Sequence, residues 1–171
     1  MSGGRALVVG GTGMLEAATR HVAAQWAEVT LVARDPFALA RALGAKPWAL
    51  DWAAPDARER IAALGGGFDL ALTWLHDGAS GLSRAFEDRL RPGGRLVRVM
   101  GSAAMDPAVR DRRAPDPRAD IHRQLVITGW HPDATQPEGR RWLTHAEISG
   151  GVIAALRDPA LEALIIGGSG G

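Results

Sequence analysis

Residues 6–16, Ala-Leu-Val-Val-Gly-Gly-Thr-Gly-Met-Leu-Glu, form an apolar stretch that runs directly into a glycine-rich turn. Ala6 to Val9 are apolar without alternation, which is typical of a strand buried on both faces. Gly10 and Gly13 permit a tight backbone turn, and residues 14–26 then have the pattern of a helix. A helix beginning there directs free N–H groups and the positive end of its dipole at a bound anion. The stretch therefore predicts the pyrophosphate-binding turn of a dinucleotide fold.

The composition is that of one globular domain spanning residues 1–171, with 46% hydrophobic and 23% charged residues. The formal net charge is +1 and basic residues are spread along the chain, so neither nucleic acid nor a membrane surface is an expected partner. No apolar run approaches the length of a membrane span and no secretory signal is recognisable, so a cytoplasmic location is the default prediction. The absence of cysteine excludes disulfides, zinc–thiolate sites and cysteine nucleophiles.

Strand-like and helix-like segments alternate along most of the chain. Short apolar runs bounded by turn residues predict strands at 6–9, 29–33, 47–50, 69–75, 95–100, 124–128 and, at an edge, 164–166. Helical periodicity and capping residues predict helices at 14–26, from Asp35-Pro36 onward, at 55–64, at 80–91 and, through a Thr-x-x-Glu capping box, at 144–157. The proline-rich segment 103–119 and residues 131–139 are predicted to be loops.

This alternation predicts an α/β fold with a doubly wound parallel sheet, strand order 3-2-1-4-5-6-7, and helices on both faces. Ligands of such sheets bind outside the carboxyl ends of the strands, near the switch between strands one and four. The residues predicted to line that crevice are 10–13, 34–35, 51–52, 74–77, 101–102 and 130–131.

Several motifs, taken in order, resemble the short-chain dehydrogenase/reductases. They are Gly-Gly-Thr-Gly-Met-Leu at 10–15, Leu-Val-Ala-Arg at 31–34, Leu-Asp-Trp at 50–52 and Gly-Ser at 101–102. The resemblance covers almost the whole chain and is closest to the divergent, atypical branch, whose late Leu-Thr-x-x-Glu-Ile helix matches residues 143–148. It implies a Rossmann-like domain and the homodimers or homotetramers common in that superfamily. The cofactor-binding residues that it implies are Gly10, Gly11, Thr12, Gly13, Met14, Leu15, Arg34, Asp51, Trp52 and Trp74.

Residues after strands two and three bear on the choice of cofactor. Arg34 stands where the adenosine ribose is expected, and a guanidinium there can hold a 2′-phosphate, which favours NADP(H) over NAD(H). Alternatively, Asp35 takes the ribose and Arg34 is a solvated charge. Asp51 resembles the aspartate that bonds the adenine amino group, or it is a turn carboxylate, and Trp52 either stacks on adenine or packs.

Glu16 replaces the third glycine of the usual turn. Its carboxylate either repels a nearby phosphate or points along the helix surface into solvent.

The catalytic residues of the family are largely missing. Family reductases use a tyrosine as proton donor, a lysine four residues later and a serine, but this chain has no tyrosine and only one lysine, Lys46. Ser102 matches the serine, with a turn-capping role as the alternative. His76 and His131 are then the candidate proton donors, because histidine titrates near neutral pH.

The tryptophans and histidines also bear on apolar walls and metal sites. Trp74 and Trp130 could wall a substrate or nicotinamide pocket, although these two and Trp142 are ordinarily packing residues. The histidines lack metal-ligand spacing, and the turn lacks the Gly-Lys-Ser/Thr of a nucleoside-triphosphate site.

Three functions are compatible with these residues. The first is an NADP(H)-dependent oxidoreductase that acts on an unknown small-molecule carbonyl substrate without tyrosine. The second is a catalytically silent dinucleotide sensor or partner-binding module, and the third is a scaffold that has lost the cofactor as well.

Overall fold

The computed structural model describes residues 2–113 and 118–168, apart from the side chains at positions 2, 77, 78 and 80. Its β-strands are β1 (Ser2–Val9), β2 (Trp26–Ala33), β3 (Lys46–Ala49), β4 (Phe68–Trp74), β5 (Leu90–Met100), β6 (His122–Thr128), β7 (Trp130–Pro132), β8 (Arg140–Trp142) and β9 (Ala163–Ile166). Its α-helices are α1 (Glu16–Gln25), α2 (Phe37–Leu43), α3 (Ala57–Ala62), α4 (Ser83–Glu87), α5 (Pro107–Arg113) and α6 (His145–Arg157).

Seven of the strands form one parallel sheet in the order β3-β2-β1-β4-β5-β6-β9. The predicted doubly wound α/β fold and the predicted order are confirmed, with β9 as the seventh strand. β7 and β8 form a separate antiparallel hairpin, in which Trp130 pairs with Trp142. The carboxyl ends of β1 and β4 therefore meet at the centre of one sheet edge, where the strand order reverses.

Helices cover both faces of the sheet. On one face, α1, α2 and α6 bury residues such as Val22, Ala40 and Val152 against strand residues such as Leu31 and Val97. On the other face, α3 and α4 bury Ile61 and Phe86 in a second apolar cluster. This two-sided burial is the reason that the central strands are apolar without alternation. No helix in the described ranges is long and apolar enough to span a membrane.

The buried amide of Gln124 fastens the end of α6 and the segment before β9 to strand β6. Its Nε2 donates to the carbonyl oxygens of Asp158 and Leu161, at 2.7 and 2.6 Å, and its Oε1 accepts from Arg95 Nε at 2.6 Å. The guanidinium of Arg95 also donates to the carbonyl oxygens of Ala155 and Leu156 near the end of α6. The edge strand β9 is thus tied to the sheet by side chains in addition to its backbone pairing.

Three predicted segments differ in kind from the structure. The helix predicted at 80–91 is a 3₁₀ turn at Asp77–Leu82 followed by the five-residue α4, and Leu90 already begins β5. The position at which α4 ends is determined by strand pairing. Leu90 is in register with Phe68, and the Phe68 N–H donates to the Arg89 carbonyl oxygen. Tertiary pairing here overrides the helical periodicity of the sequence.

The segment 103–119 is also not simply a loop. It contains a 3₁₀ turn at Ser102–Met105 and helix α5, while residues 114–117 lie outside the described part. Pro107 is the first residue of α5, a position that tolerates proline, and Asp106 Oδ1 accepts from the Ala108 N–H at 2.8 Å. Asp106 and Pro107 together are therefore a helix-start signal. This signal is missed when the prolines are read only as helix breakers. The loop predicted at 131–139 likewise includes part of the hairpin.

Candidate functional site

The glycine turn between β1 and α1 is pressed against the end of β4. Gly10 has φ +75°, a backbone conformation that favours glycine, and its N–H donates to the Val32 carbonyl oxygen at 2.9 Å. A Cβ at this position would collide with the carbonyl oxygen of Trp74. Only glycine therefore lets the turn approach β4 this closely.

The inner side of the turn is equally full. A Cβ on Gly11 would collide with the hydroxyl of Thr19, a buried residue of α1. That hydroxyl lies within hydrogen-bond distance of two carbonyl oxygens, 2.9 Å from Gly11 and 3.0 Å from Leu15. Gly11 and the buried Leu15, both predicted to bind cofactor, thus act by fixing the turn to α1.

The outer side of the turn is open. A Cβ built on Gly13 meets nothing within 4 Å. The following residue, Met14, is held from the opposite direction, because the buried Ser149 of α6 donates its hydroxyl to the Met14 carbonyl oxygen at 2.7 Å. The turn is packed on its inner side and exposed at its outer edge, as a ligand-binding backbone requires.

A crevice with two lobes runs along this edge of the sheet. The first lobe has a volume of about 520 Å³, and its lining includes Gly10, Thr12, Gly13, Met14, Arg34, Asp35, Trp52, Trp74, His76 and His145. The second lobe, of about 530 Å³, is lined in part by Gly101, Ser102, Arg113, Thr128, Trp142, Leu143 and Ile148. Both lobes share Met14, Trp74 and His76, so these three residues mark the junction.

Arg34 and Asp35, the charged residues after β2, have different surroundings. The side chain of Arg34 is exposed, and among the described residues it makes no hydrogen bond or ion pair. Asp35 instead accepts from the Phe37 N–H at 3.4 Å, at the start of α2. The guanidinium of Arg34 is therefore available at the mouth of the first lobe.

The residues after β3 also differ from one another. Trp52 lines the first lobe and contacts Phe86 edge-on, with ring centroids 6.2 Å apart. Asp51 is exposed and outside the lining of both lobes, and its Oδ1 accepts from the Ala53 N–H at 3.0 Å. This contact supports the alternative in which Asp51 is a turn carboxylate.

Glu16, which replaces the third glycine, is paired along the helix surface. Its carboxylate accepts from the Arg20 guanidinium, with a shortest distance of 2.7 Å. Arg20 lies one helical turn after Glu16 and carries the opposite charge. It therefore lessens the repulsion between the Glu16 carboxylate and a phosphate at the helix start.

The histidines occupy different places. His76 lies at the junction, with its ring 5.4 Å from that of Trp74 in an edge-on arrangement. His131 is not among the described residues that line either lobe, because its ring turns to the Pro132 carbonyl oxygen, 2.7 Å from Nδ1. His145 lines the first lobe, which the sequence left uncertain. The capping box of Thr144 and Glu147 is the signal that places it in the first turn of α6.

Ser102 begins the 3₁₀ turn after β5 and lines the second lobe. Trp130 is absent from the described lining of both lobes and pairs instead with Trp142. Lys46 begins β3, at the opposite edge of the sheet from the crevice. The structure therefore gathers Ser102 and His76 beside the glycine turn and leaves the single lysine remote.

The hairpin that borders the second lobe is held to α6 by Glu147. Its carboxylate accepts two hydrogen bonds of 2.9 Å from the Arg141 guanidinium and one of 2.7 Å from the Thr144 N–H. These bonds, the Arg141 bonds above all, hold the pKa of Glu147 far below its ordinary value of 4.5.

Several solved structures share this architecture. No protein-family model matches the sequence, and no curated protein matches it significantly. A short-chain dehydrogenase/reductase family protein superposes with a TM-score of 0.73 at 20% identity, covering 98% of this chain and 97% of that one. BdcA in a complex with NADPH gives 0.67 at 17% identity, covering 100% and 96%. The TT0495 protein from Thermus thermophilus gives 0.65 at 20% identity, covering 96% and 97%.

The chain therefore has the fold of the short-chain dehydrogenase/reductases. The resemblance seen in its motifs is confirmed at the level of that fold.

Substitution of Gly10 by alanine tests the contact with β4. We expect Gly10→Ala to lower the free energy of unfolding by more than about 3 kcal/mol, because left-handed strain of about 1–2 kcal/mol adds to a collision with backbone. Gly44→Ala is the matched control, because Gly44 has φ +66° but open space around its Cβ, so it should cost only the strain. Urea denaturation measures both. Equal losses in the two variants would show that the contact with Trp74 is not tight.

The depressed pKa of Glu147 predicts acid sensitivity. A carboxyl group with a lowered pKa in the folded state stabilises the protein above its unfolded-state pKa and loses that contribution as pH falls below about 4.5. Glu147→Gln should therefore have a lower urea midpoint than the parent at pH 7, and the gap should narrow at pH 3. Glu138→Gln, at an exposed hairpin residue 3.3 Å from Arg140, is the control. A gap independent of pH would contradict the prediction.

Proposed function

We propose that this chain binds NADP(H) along the crevice and reduces a small carbonyl compound at the junction of the two lobes. The glycine turn is the observation that carries the proposal. Its inner side is filled by Thr19 and β4 while its outer edge at Gly13 is open, and the first-turn N–H groups of α1 follow directly. A pyrophosphate would bind at this edge, with the adenosine end of the cofactor in the first lobe.

Arg34 supports a preference for the phosphorylated cofactor. Its guanidinium has no partner within the described ranges, whereas the Asp35 carboxylate accepts from the backbone at the start of α2. An unengaged guanidinium suits a 2′-phosphate, and an engaged carboxylate is less suited to a ribose 2′-hydroxyl. The NADPH complex of the similar BdcA structure agrees with this choice.

The reaction class follows from what stands at the junction. When bound, a reduced nicotinamide would supply a hydride to the carbonyl carbon, and the chain would supply the proton that completes the alcohol. Ser102 lines the second lobe, and its hydroxyl would donate a hydrogen bond to the carbonyl oxygen. His76, at the junction, is our candidate for the proton donor in place of tyrosine. His131 has no part in this proposal because it faces Pro132.

A catalytically silent dinucleotide sensor is the second candidate. The observation that favours it is the lack of any tyrosine in the chain, together with the seven-residue α5 where the family's catalytic helix would be expected. Such a protein would share the cofactor site and differ only in turnover. Binding and turnover must therefore be measured separately.

Calorimetric titration with NADPH and NADH tests the cofactor site. We expect saturable binding of both, with NADPH tighter by about tenfold or more, since a charge-assisted contact contributes about 1.5–3 kcal/mol. Arg34→Gln should remove that preference by weakening NADPH alone. Arg41→Gln, at an exposed arginine on α2 outside both lobes, is the matched control and should leave it intact. Absence of binding of either nucleotide would end the proposal and leave the scaffold alternative.

Turnover separates the enzyme from the sensor. With NADPH and a panel of aldehydes and ketones, we expect oxidation of the cofactor that falls by about 10² to 10⁴ in kcat in His76→Gln, because a general acid contributes that much. NADPH affinity should change little in this variant, and His131→Gln should behave as the parent. Saturable NADPH binding without turnover of any carbonyl would instead identify a sensor.

A further inference from the structure

One wall of the second lobe is an exposed tryptophan, Trp142, on the β7–β8 hairpin. Trp142 lines this lobe, yet 67% of its surface is exposed to solvent. Tryptophan is strongly buried on average, so a largely exposed indole at the rim of a crevice is an uncommon use of apolar area. Its position indicates a surface kept for a ligand.

The indole is held in place although it is exposed. Its ring pairs with Trp130 on the opposing strand, with centroids 3.7 Å apart and planes tilted by 40°, and the Arg140 guanidinium lies 4.7 Å from the Trp130 ring. The base of the hairpin is fixed as well, since Trp130 and Gly168 exchange two backbone hydrogen bonds. One side of the Trp142 ring thus has a partner, and the ring needs little further ordering to accept a second.

The rest of the lobe changes in character along its length. Leu143 and Ile148, buried residues near Trp142 in the chain, provide apolar wall, while the polar groups His76 and Ser102 lie where the strands of the sheet end. Thr128 also lines the lobe, but its hydroxyl already donates to the Met100 carbonyl oxygen at 3.3 Å. A ligand that fits has an apolar body toward the hairpin and a polar atom toward the sheet.

From this arrangement we infer that the substrate is an aromatic carbonyl compound, whose ring stacks on the free side of the Trp142 indole while its carbonyl points to Ser102 and His76. The inference rests on the proposed function and adds the substrate class. An aromatic body is favoured over a saturated one of equal size, because offset and edge-on ring pairs gain up to about tenfold in affinity beyond the burial of area. Trp142 is then the residue that determines this specificity.

A pair of probes matched in size tests the inference. 2-Acetylnaphthalene and its decahydro counterpart share the carbonyl group and differ in aromaticity. Binding is followed through the six indole N–H signals of ¹⁵N-labelled protein, with and without saturating NADPH. We expect the Trp142 signal to shift with 2-acetylnaphthalene, at an affinity about fivefold to tenfold above that of the saturated probe.

Three variants locate the effect. Trp142→Leu keeps an apolar side chain and should abolish the preference between the probes, whereas Trp142→Phe keeps a ring and should retain most of it. Phe37→Leu alters another exposed aromatic residue, outside both lobes, and should change nothing. Urea midpoints near that of the parent verify that each variant is folded.

The possible results separate the two proposals. Equal affinities of the two probes, or a preference that survives in Trp142→Leu, would overturn the aromatic site. Displacement of 2-acetylnaphthalene by NADPH would also overturn it, because the indole would then hold the cofactor ring. If NADPH fails to bind but the aromatic preference still depends on Trp142, the proposed function fails while the aromatic site stands.

Discussion

The contact between the backbone of Gly10 and the carbonyl group of Trp74 is the constraint on which the site depends. It fixes how closely the first turn approaches β4, and no side chain larger than hydrogen fits between them. Trp74 is the last residue of β4, and His76 comes shortly after it. The same contact therefore determines where the two lobes join. Thr19 and Ser149 hold the turn from two further directions, so its open edge at Gly13 is defined by packing on the other sides.

Much of the fold follows from local signals in the sequence. The strand order was predictable because β1, β4 and β6 each contain an apolar run near a recognisable turn, and right-handed crossovers leave few arrangements. Capping chemistry predicted α6 correctly, because Thr144 and Glu147 bond each other's backbone groups within four residues. These features are set by neighbours in the chain, and the sequence displays them directly.

The missed features depend on distant partners. The end of α4 is decided by the pairing of Leu90 with Phe68, and no helical pattern within 80–91 reveals it. The hairpin forms through a pairing of Trp130 with Trp142 across a loop, and it turns His131 away from the crevice. His145 enters the first lobe only because α6 packs beside α1. The sequence therefore predicted that the glycine turn, Arg34 and Ser102 line the crevice, whereas the position of Trp142 could not be predicted from it.

The bond from Ser149 to Met14 joins groups that are 135 residues apart. During synthesis on a ribosome, the amino-terminal turn must wait for α6 before this bond can form, because domains generally fold as units once their partners have emerged. Until then the Met14 carbonyl oxygen has no hydroxyl donor from α6, and the turn lacks one of its three restraints. The turn thus gains this restraint only after α6 has been synthesised, although the residues of the turn itself precede α6 by more than a hundred positions in the chain.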